Sequence, residues 1–294
     1  MPDVPSLLDP PLLRRLDTLR LVPRRPVTGQ AGGARRSLRR GASVEFADFR
    51  EYAPGDDLRS VDWKAYGRLE KLYLKLFVDE EDLGLHLLVD TSASMAFGNP
   101  PKLLFAQRLV AALGYVALSR ADHVAVTAVG AGAFAPLSGL RGRAGLGPLL
   151  THLGRLGASG TGHPASALAR YAASARGSGI AIVLSDFYDD GWAAGLQALR
   201  ARRFQVVLAH ILSPEEAHSE LAGEVRLRDS ESGDAQEVSL SPSLLAAYAE
   251  RLRSFCDGWQ LAARRYDMTY VRLETSEPLL EAVRRFAGPG GILV

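Results

Sequence analysis

Leu85-His86-Leu87-Leu88-Val89-Asp90-Thr91-Ser92-Ala93-Ser94 is the stretch that decides the reading of this chain. Leu85 to Val89 is a short apolar run, the pattern of a strand buried on both faces, as in a parallel sheet covered by helices. The run stops at Asp90, and Ser92 and Ser94 follow at alternate positions. Sites in open α/β sheets form at the carboxyl ends of strands. One carboxylate and two hydroxyls with this spacing, on a chain leaving the sheet, can converge on one point. Hard oxygen donors without His or Cys select Mg²⁺, or Mn²⁺ and Ca²⁺, over zinc.

Outward from that stretch the pattern alternates between strand and helix. Pro101 to Ser119 predicts a helix, with Pro in its first turn and Leu104, Leu109, Leu113 and Val116 at helical spacing. His123 to Val129 reads as a strand, Leu149 to Leu156 and Pro164 to Ala175 as helices, and Ile180 to Leu184 as another buried strand. Trp192 to Arg202 is a helix and Phe204 to Ile211 a strand. Ser232-Gly233-Asp234 marks an exposed hairpin within Val225 to Leu240. A long helix, Ser243 to Tyr266, a strand, Thr269 to Leu273, and a helix, Pro278 to Phe286, finish the chain. Residues 84–294 are therefore expected to form an α/β domain: a doubly wound, mainly parallel sheet with helices on both faces.

Upstream, Val44 to Phe49 and Lys71 to Val78 alternate apolar and polar residues around the turn chemistry of Pro54-Gly55-Asp56-Asp57. Residues 44–83 are expected as a small antiparallel β unit. Residues 1–43 hold nine arginines against three aspartates and are expected as a basic, Arg-rich arm containing one short amphipathic helix, Leu12 to Leu21.

Two further pieces fall at the edge that carries Asp90. Gly157 to Gly162 is a flexible turn containing Thr161, and the strand Ile180 to Leu184 ends in Ser185-Asp186. Asp90-x-Ser92-x-Ser94, then Thr161, then Asp186, resembles the metal-ion-dependent adhesion site of von Willebrand factor A domains. The resemblance implies that Ser92, Ser94 and Thr161 hold a divalent ion directly or nearly so. It implies that Asp90 and Asp186 act through water and hydrogen bonds, and that a carboxylate of a protein partner fills the open coordination position. A second resemblance rests on Glu45-Phe46-Ala47-Asp48, Arg50-Glu51-Tyr52, Pro54-Gly55-Asp56-Asp57, Arg59 and Asp62-Trp63-Lys64. This is similar to the signature of the bacterial proteins called domain of unknown function 58. Membership implies partnership with a MoxR-family AAA+ ATPase in the assembly or maturation of other proteins, a class and not a reaction.

The dense carboxylates of that signature (Glu45, Asp48, Glu51, Asp56, Asp57, Asp62) beside Arg50 and Arg59 suit either a salt-bridged structural network or a partner-docking surface. Trp63 is expected to be a core anchor between the two units. At 294 residues, 47% hydrophobic, 23% charged and one cysteine (Cys256), the chain is neither disordered throughout nor a disulfide scaffold. No apolar run approaches the ~18–20 residues of a membrane span. Met1 to Pro11 does not read as a signal peptide, so the expected location is the cytoplasm. A net charge of only +2 argues against nucleic acid as the partner, although the arm keeps nucleic-acid binding as an alternative. A divalent-metal phosphatase of the haloacid-dehalogenase type would need Asp where Ser92 stands, and no Walker A or Gly-x-Ser-x-Gly motif occurs. The chain is expected not to be an enzyme.

Overall fold

A computed structural model of the chain describes residues 7–24, 45–53, 61–69, 71–78, 84–130, 136–160, 163–175, 179–218, 223–229, 233–288 and 290–294. It divides into two compact units, Thr28–Asp82 on one side and Met1–Val27 with Leu83–Val294 on the other.

Helix α1 (Pro10–Leu16) belongs to the larger unit. Pro10 and Pro11 open it, and the Asp9 side chain accepts from Leu12 N at 2.9 Å, satisfying a donor that the helix itself leaves unpaired. Part of the expected arm is in fact docked. Leu16 is fully buried, Tyr115 Oη donates to Asp17 Oδ1 at 2.7 Å, and Val22 N donates to the Ile292 carbonyl at 2.8 Å. Arginine-rich composition hid three leucines (Leu7, Leu16, Leu21) that enter the core.

The smaller unit contains β1 (Glu45–Glu51), α2 (Trp63–Leu69) and β2 (Tyr73–Val78). The two strands pair antiparallel, Glu45 opposite Val78 and Glu51 opposite Tyr73, as alternation predicted. Asp62 is buried, and its carboxylate accepts from Ala65 N at 3.3 Å at the start of α2. Trp63 departs from expectation. It is 60% exposed, edge-on to the exposed Tyr66, and anchors no core.

The larger unit continues with β3 (Gly84–Asp90), α3 (Lys102–Ser119), β4 (His123–Val129), β5 (Leu137–Arg141), α4 (Leu146–Leu153), α5 (Pro164–Ser174), β6 (Gly179–Ser185), α6 (Trp192–Ala201), β7 (Gln205–Leu212), α7 (Pro214–Ala217), β8 (Gly223–Arg228), β9 (Ala235–Leu240), α8 (Pro242–Arg265), β10 (Thr269–Glu274) and α9 (Leu279–Arg284). Six strands form one sheet in the order β10-β7-β6-β3-β4-β5, parallel except for β5 at one edge. This is the doubly wound α/β sheet that the sequence predicted. Strand β5 was not expected, because Leu137-Ser138-Gly139-Leu140-Arg141 lacks a continuous apolar run. As an edge strand it buries only Leu140. Strands β8 and β9 pair as a separate exposed hairpin.

The chain runs from β3 outward to β5, then crosses back to β6 on the other side of β3. The sheet order therefore reverses between β3 and β6, which is where open α/β sheets form a crevice. Every residue of β3 and of β6 is buried. One core layer packs under α1, α3, α4 and α9, and the other under α5, α6 and α8. Among the described residues, α3 is long and apolar enough for a membrane span by length and composition, with mean hydropathy 1.3, contrary to the sequence reading. Its apolar character is explained by burial: 83% of it lies inside the protein.

His86 on β3 is held against Tyr171 Oη and lies edge-on to Phe204, with ring centroids 4.8 Å apart. Burial lowers its pKa from 6.5 to about 4, and burial lowers His210 on β7 to about 4 as well. Both imidazoles are thus neutral in the fold, and the unfolded chain binds the extra protons first. Their contribution to stability is complete above pH 6.5 and is lost as pH falls toward 4. Unfolding free energies from urea titrations between those pH values are expected to fall by up to about 3 kcal/mol per histidine, and His86→Leu should make the slope shallower by its share. An unchanged slope in His86→Leu contradicts this assignment.

Candidate functional site

Asp90, the last residue of β3, is 3% exposed. Its carboxylate works as a fork: Oδ1 accepts from Ser92 N at 2.8 Å, and Oδ2 accepts from Ser185 Oγ at 2.6 Å. Ser185 Oγ in turn accepts from Phe187 N at 2.8 Å. One side chain therefore fixes the exits of both strands at the crevice. The first bond turns the chain so that Ser92 Oγ and Ser94 Oγ stand 3.0 Å apart, at the start of a tight turn over Ala93–Ala96. Gly130, after β4, lets this backbone approach, since a Cβ there would lie 2.4 Å from Thr91 Oγ1.

Two backbone bonds dock the glycine-rich turn beside the exit: Ser159 N to the Thr91 carbonyl at 2.9 Å, and Ala93 N to the Gly160 carbonyl at 3.0 Å. Thr161 itself lies outside the described residues. Asp90, Ser92, Ser94, Asp186, Tyr188 and Asp189 all line one small pocket of about 20 Å³, room for a single water-sized species. Burial, and then the negative charge of Asp186, raise the Asp90 pKa to about 6, against the hydrogen bonds from Ser185 and Ser92 that pull it down.

Sequence reasoning missed the strongest electrostatic feature of this edge. Lys102, at the start of α3, is fully buried. Its Nζ donates to Asp186 Oδ2 at 2.7 Å and to Glu216 Oε1 at 2.6 Å. Glu216 is held by a capping box at α7: its Oε2 accepts from Ser213 N at 2.8 Å, while Ser213 Oγ accepts from Glu216 N at 3.3 Å. The ammonium also faces the rings of Tyr188 at 5.2 Å and Phe97 at 5.9 Å. A lysine is rare in this chain, four among 35 basic residues, and this one directly follows the Asp90 loop; that contrast was the signal available.

The structure thus brings Asp90, Ser92, Ser94 and Asp186 together. Of the signature residues, Glu45, Asp48 and Arg50 are placed on β1 by its backbone, and Asp56, Asp57 and Arg59 lie outside the described residues.

Breaking a buried ion group by removing one partner typically costs about 3–5 kcal/mol. Lys102→Met should lower stability by that order in urea unfolding, because Asp186 and Glu216 are left facing each other. Adding Glu216→Gln should restore part of the loss. A Lys102→Met midpoint equal to wild type contradicts the triad.

Strand order and strand-end oxygens define an α/β protein with a crevice site built from carboxylates and hydroxyls. The chain belongs to the family described as protein of unknown function DUF58, whose model matches residues 48–255. It is 28% identical over 256 residues to the uncharacterized protein Rv1480 of Mycobacterium tuberculosis (strain ATCC 25618 / H37Rv), covering 83% of this chain and 80% of that one. The figures are the same for the uncharacterized protein Mb1516 of Mycobacterium bovis. Solved structures with some likeness include the conserved hypothetical protein BatB from Bacteroides thetaiotaomicron, 18% identical, covering 68% of this chain and 95% of that one, TM-score 0.42. Another is the SpRpn10 VWA domain, 17% identical, covering 71% and 96%, TM-score 0.34. With scores this low, the fold rests on the strand order described above.

Proposed function

We propose that this chain is a divalent-cation-dependent protein-interaction module that works by binding. The observation that carries the reading is the convergence of Asp90, Ser92, Ser94 and Asp186 on one pocket at the point where the sheet order reverses. The residues fit a hard cation. All donors are oxygens, two hydroxyls are already paired at 3.0 Å, and the charge of Asp186 that disfavours ionised Asp90 would favour a cation beside both. Ser92 and Ser94 would hold Mg²⁺ or Mn²⁺, with Thr161 as the further hydroxyl, while Asp90 and Asp186 orient the hydroxyls through hydrogen bonds. A bound ion supplies an exchangeable coordination position that a partner's carboxylate can take. Lys102 and Ser185 hold the two aspartates in place. By family resemblance, the reading extends to a MoxR-family AAA+ ATPase as the associated machine and to the cytoplasm as the site of action.

Thermal unfolding with and without Mg²⁺ or Mn²⁺ tests this. An ion present at about ten times its Kd stabilises by about 1.4 kcal/mol, which raises Tm by roughly 2–4 °C in a unit of this size. Ser94→Ala, which leaves the Asp90 fork intact, should abolish the rise. No rise in the wild-type chain, or an equal rise in Ser94→Ala, contradicts the reading.

A further inference from the structure

Three exposed aromatic rings are gathered at the Lys102 triad, and one of them, Tyr188, also lines the pocket. Phe97 is 49% exposed, Tyr188 43% and Tyr248 39%. Among the described residues, they are the only strongly exposed Phe, Tyr or Trp side chains of the larger unit. They come from separate segments: the loop before α3, the loop after β6, and α8. The Lys102 triad gathers them, since Phe97 and Tyr188 face its ammonium and Tyr248 Oη donates to the Glu216 carbonyl at 3.1 Å. Apolar surface concentrated at a site rim marks a binding surface, and aromatic side chains dominate such contacts.

Exposed carboxylates stand close to two of these rings. Asp189, with Asp190 next to it in the chain, and Glu215 are exposed, and the Lys102 ammonium is already committed to Asp186 and Glu216. Asp189 lines the pocket, and the Glu215 carboxylate accepts from Asn99 N at 3.2 Å, beside Phe97. Rings and carboxylates together suit a guanidinium, which stacks on an aromatic face while its N–H groups reach an acid.

We propose that Phe97, Tyr188 and Tyr248 form a docking collar for a protein segment that carries an arginine next to the carboxylate directed at the metal. This rests on the proposed function, and it names the chemistry of the partner at that site: an acidic residue for the ion, a basic neighbour for the collar. The rim carboxylates reject a uniformly acidic segment, so a single Asp or Glu flanked by Arg is selected.

Fluorescence anisotropy of the full chain with two labelled peptides, Gly-Arg-Leu-Asp-Arg-Gly and Gly-Gln-Leu-Asp-Gln-Gly, tests the proposal. In Mg²⁺ the arginine peptide should bind at least ten-fold tighter. Phe97→Ala should weaken it at least five-fold, and Asp190→Lys should erase the preference. Glu281→Lys on α9 should leave the preference intact and controls for general charge attraction. Equal binding of the two peptides, binding of neither, or wild-type affinity in both Phe97→Ala and Asp190→Lys overturns the collar. Replacing Mg²⁺ by EDTA separates the two readings. If EDTA changes nothing while the Phe97-dependent arginine preference persists, the collar stands and the metal reading falls. If EDTA abolishes binding but the peptides bind alike in Mg²⁺, the metal reading stands and the collar falls.

Discussion

The Asp90 carboxylate bridges the exits of β3 and β6, accepting from Ser92 N with one oxygen and from Ser185 Oγ with the other. These two strands are neighbours at the point where the sheet reverses direction, and nothing in a parallel ladder itself joins their ends. The fork makes that joint. It sends the chain after β3 into the turn that pairs the Ser92 and Ser94 hydroxyls, and through Ser185 it orders the Asp186-Phe187-Tyr188 turn. A carboxylate raised to a pKa of about 6 by burial and by Asp186 is the electrostatic cost of this arrangement, and the bonds from Ser185 and Ser92 offset part of it.

Lys102 balances the second carboxylate. From the start of α3 its ammonium holds Asp186, which follows β6, and Glu216 on α7, so the segments after β6 and β7 are tied to the helix that follows β3. Such buried groups gain little net stability over apolar packing, yet they impose one arrangement, because leaving any member unpaired is expensive. The aromatic rings that crowd the ammonium then have little choice of position. Both rings remain exposed on their other side, Phe97 to 49% and Tyr188 to 43%.

Strand-end chemistry was legible in the sequence because it sits where apolar runs stop. Asp90 and Ser185-Asp186 each follow an uninterrupted buried strand, and parallel topology places such ends on one edge. The pairing of Lys102 with Asp186 and Glu216 was not legible, since the triad joins residues 84 and 114 positions apart, and the rarity of lysine marks Lys102 but not its partners. Strand β5 was missed for want of an apolar run, and Trp63 was misjudged because residue type alone does not distinguish a core aromatic from an exposed one. The docking of α1 was hidden by the arginine-rich composition around Leu7, Leu16 and Leu21, the leucines that enter the core.

Crystals of the chain soaked in Mn²⁺ and measured at the manganese absorption edge test the metal site most directly. The expected result is one anomalous peak in the crevice, about 2.1 Å from the oxygen atoms Oγ of Ser92 and Ser94. A featureless map in that pocket, or manganese bound only elsewhere on the chain, would contradict the account.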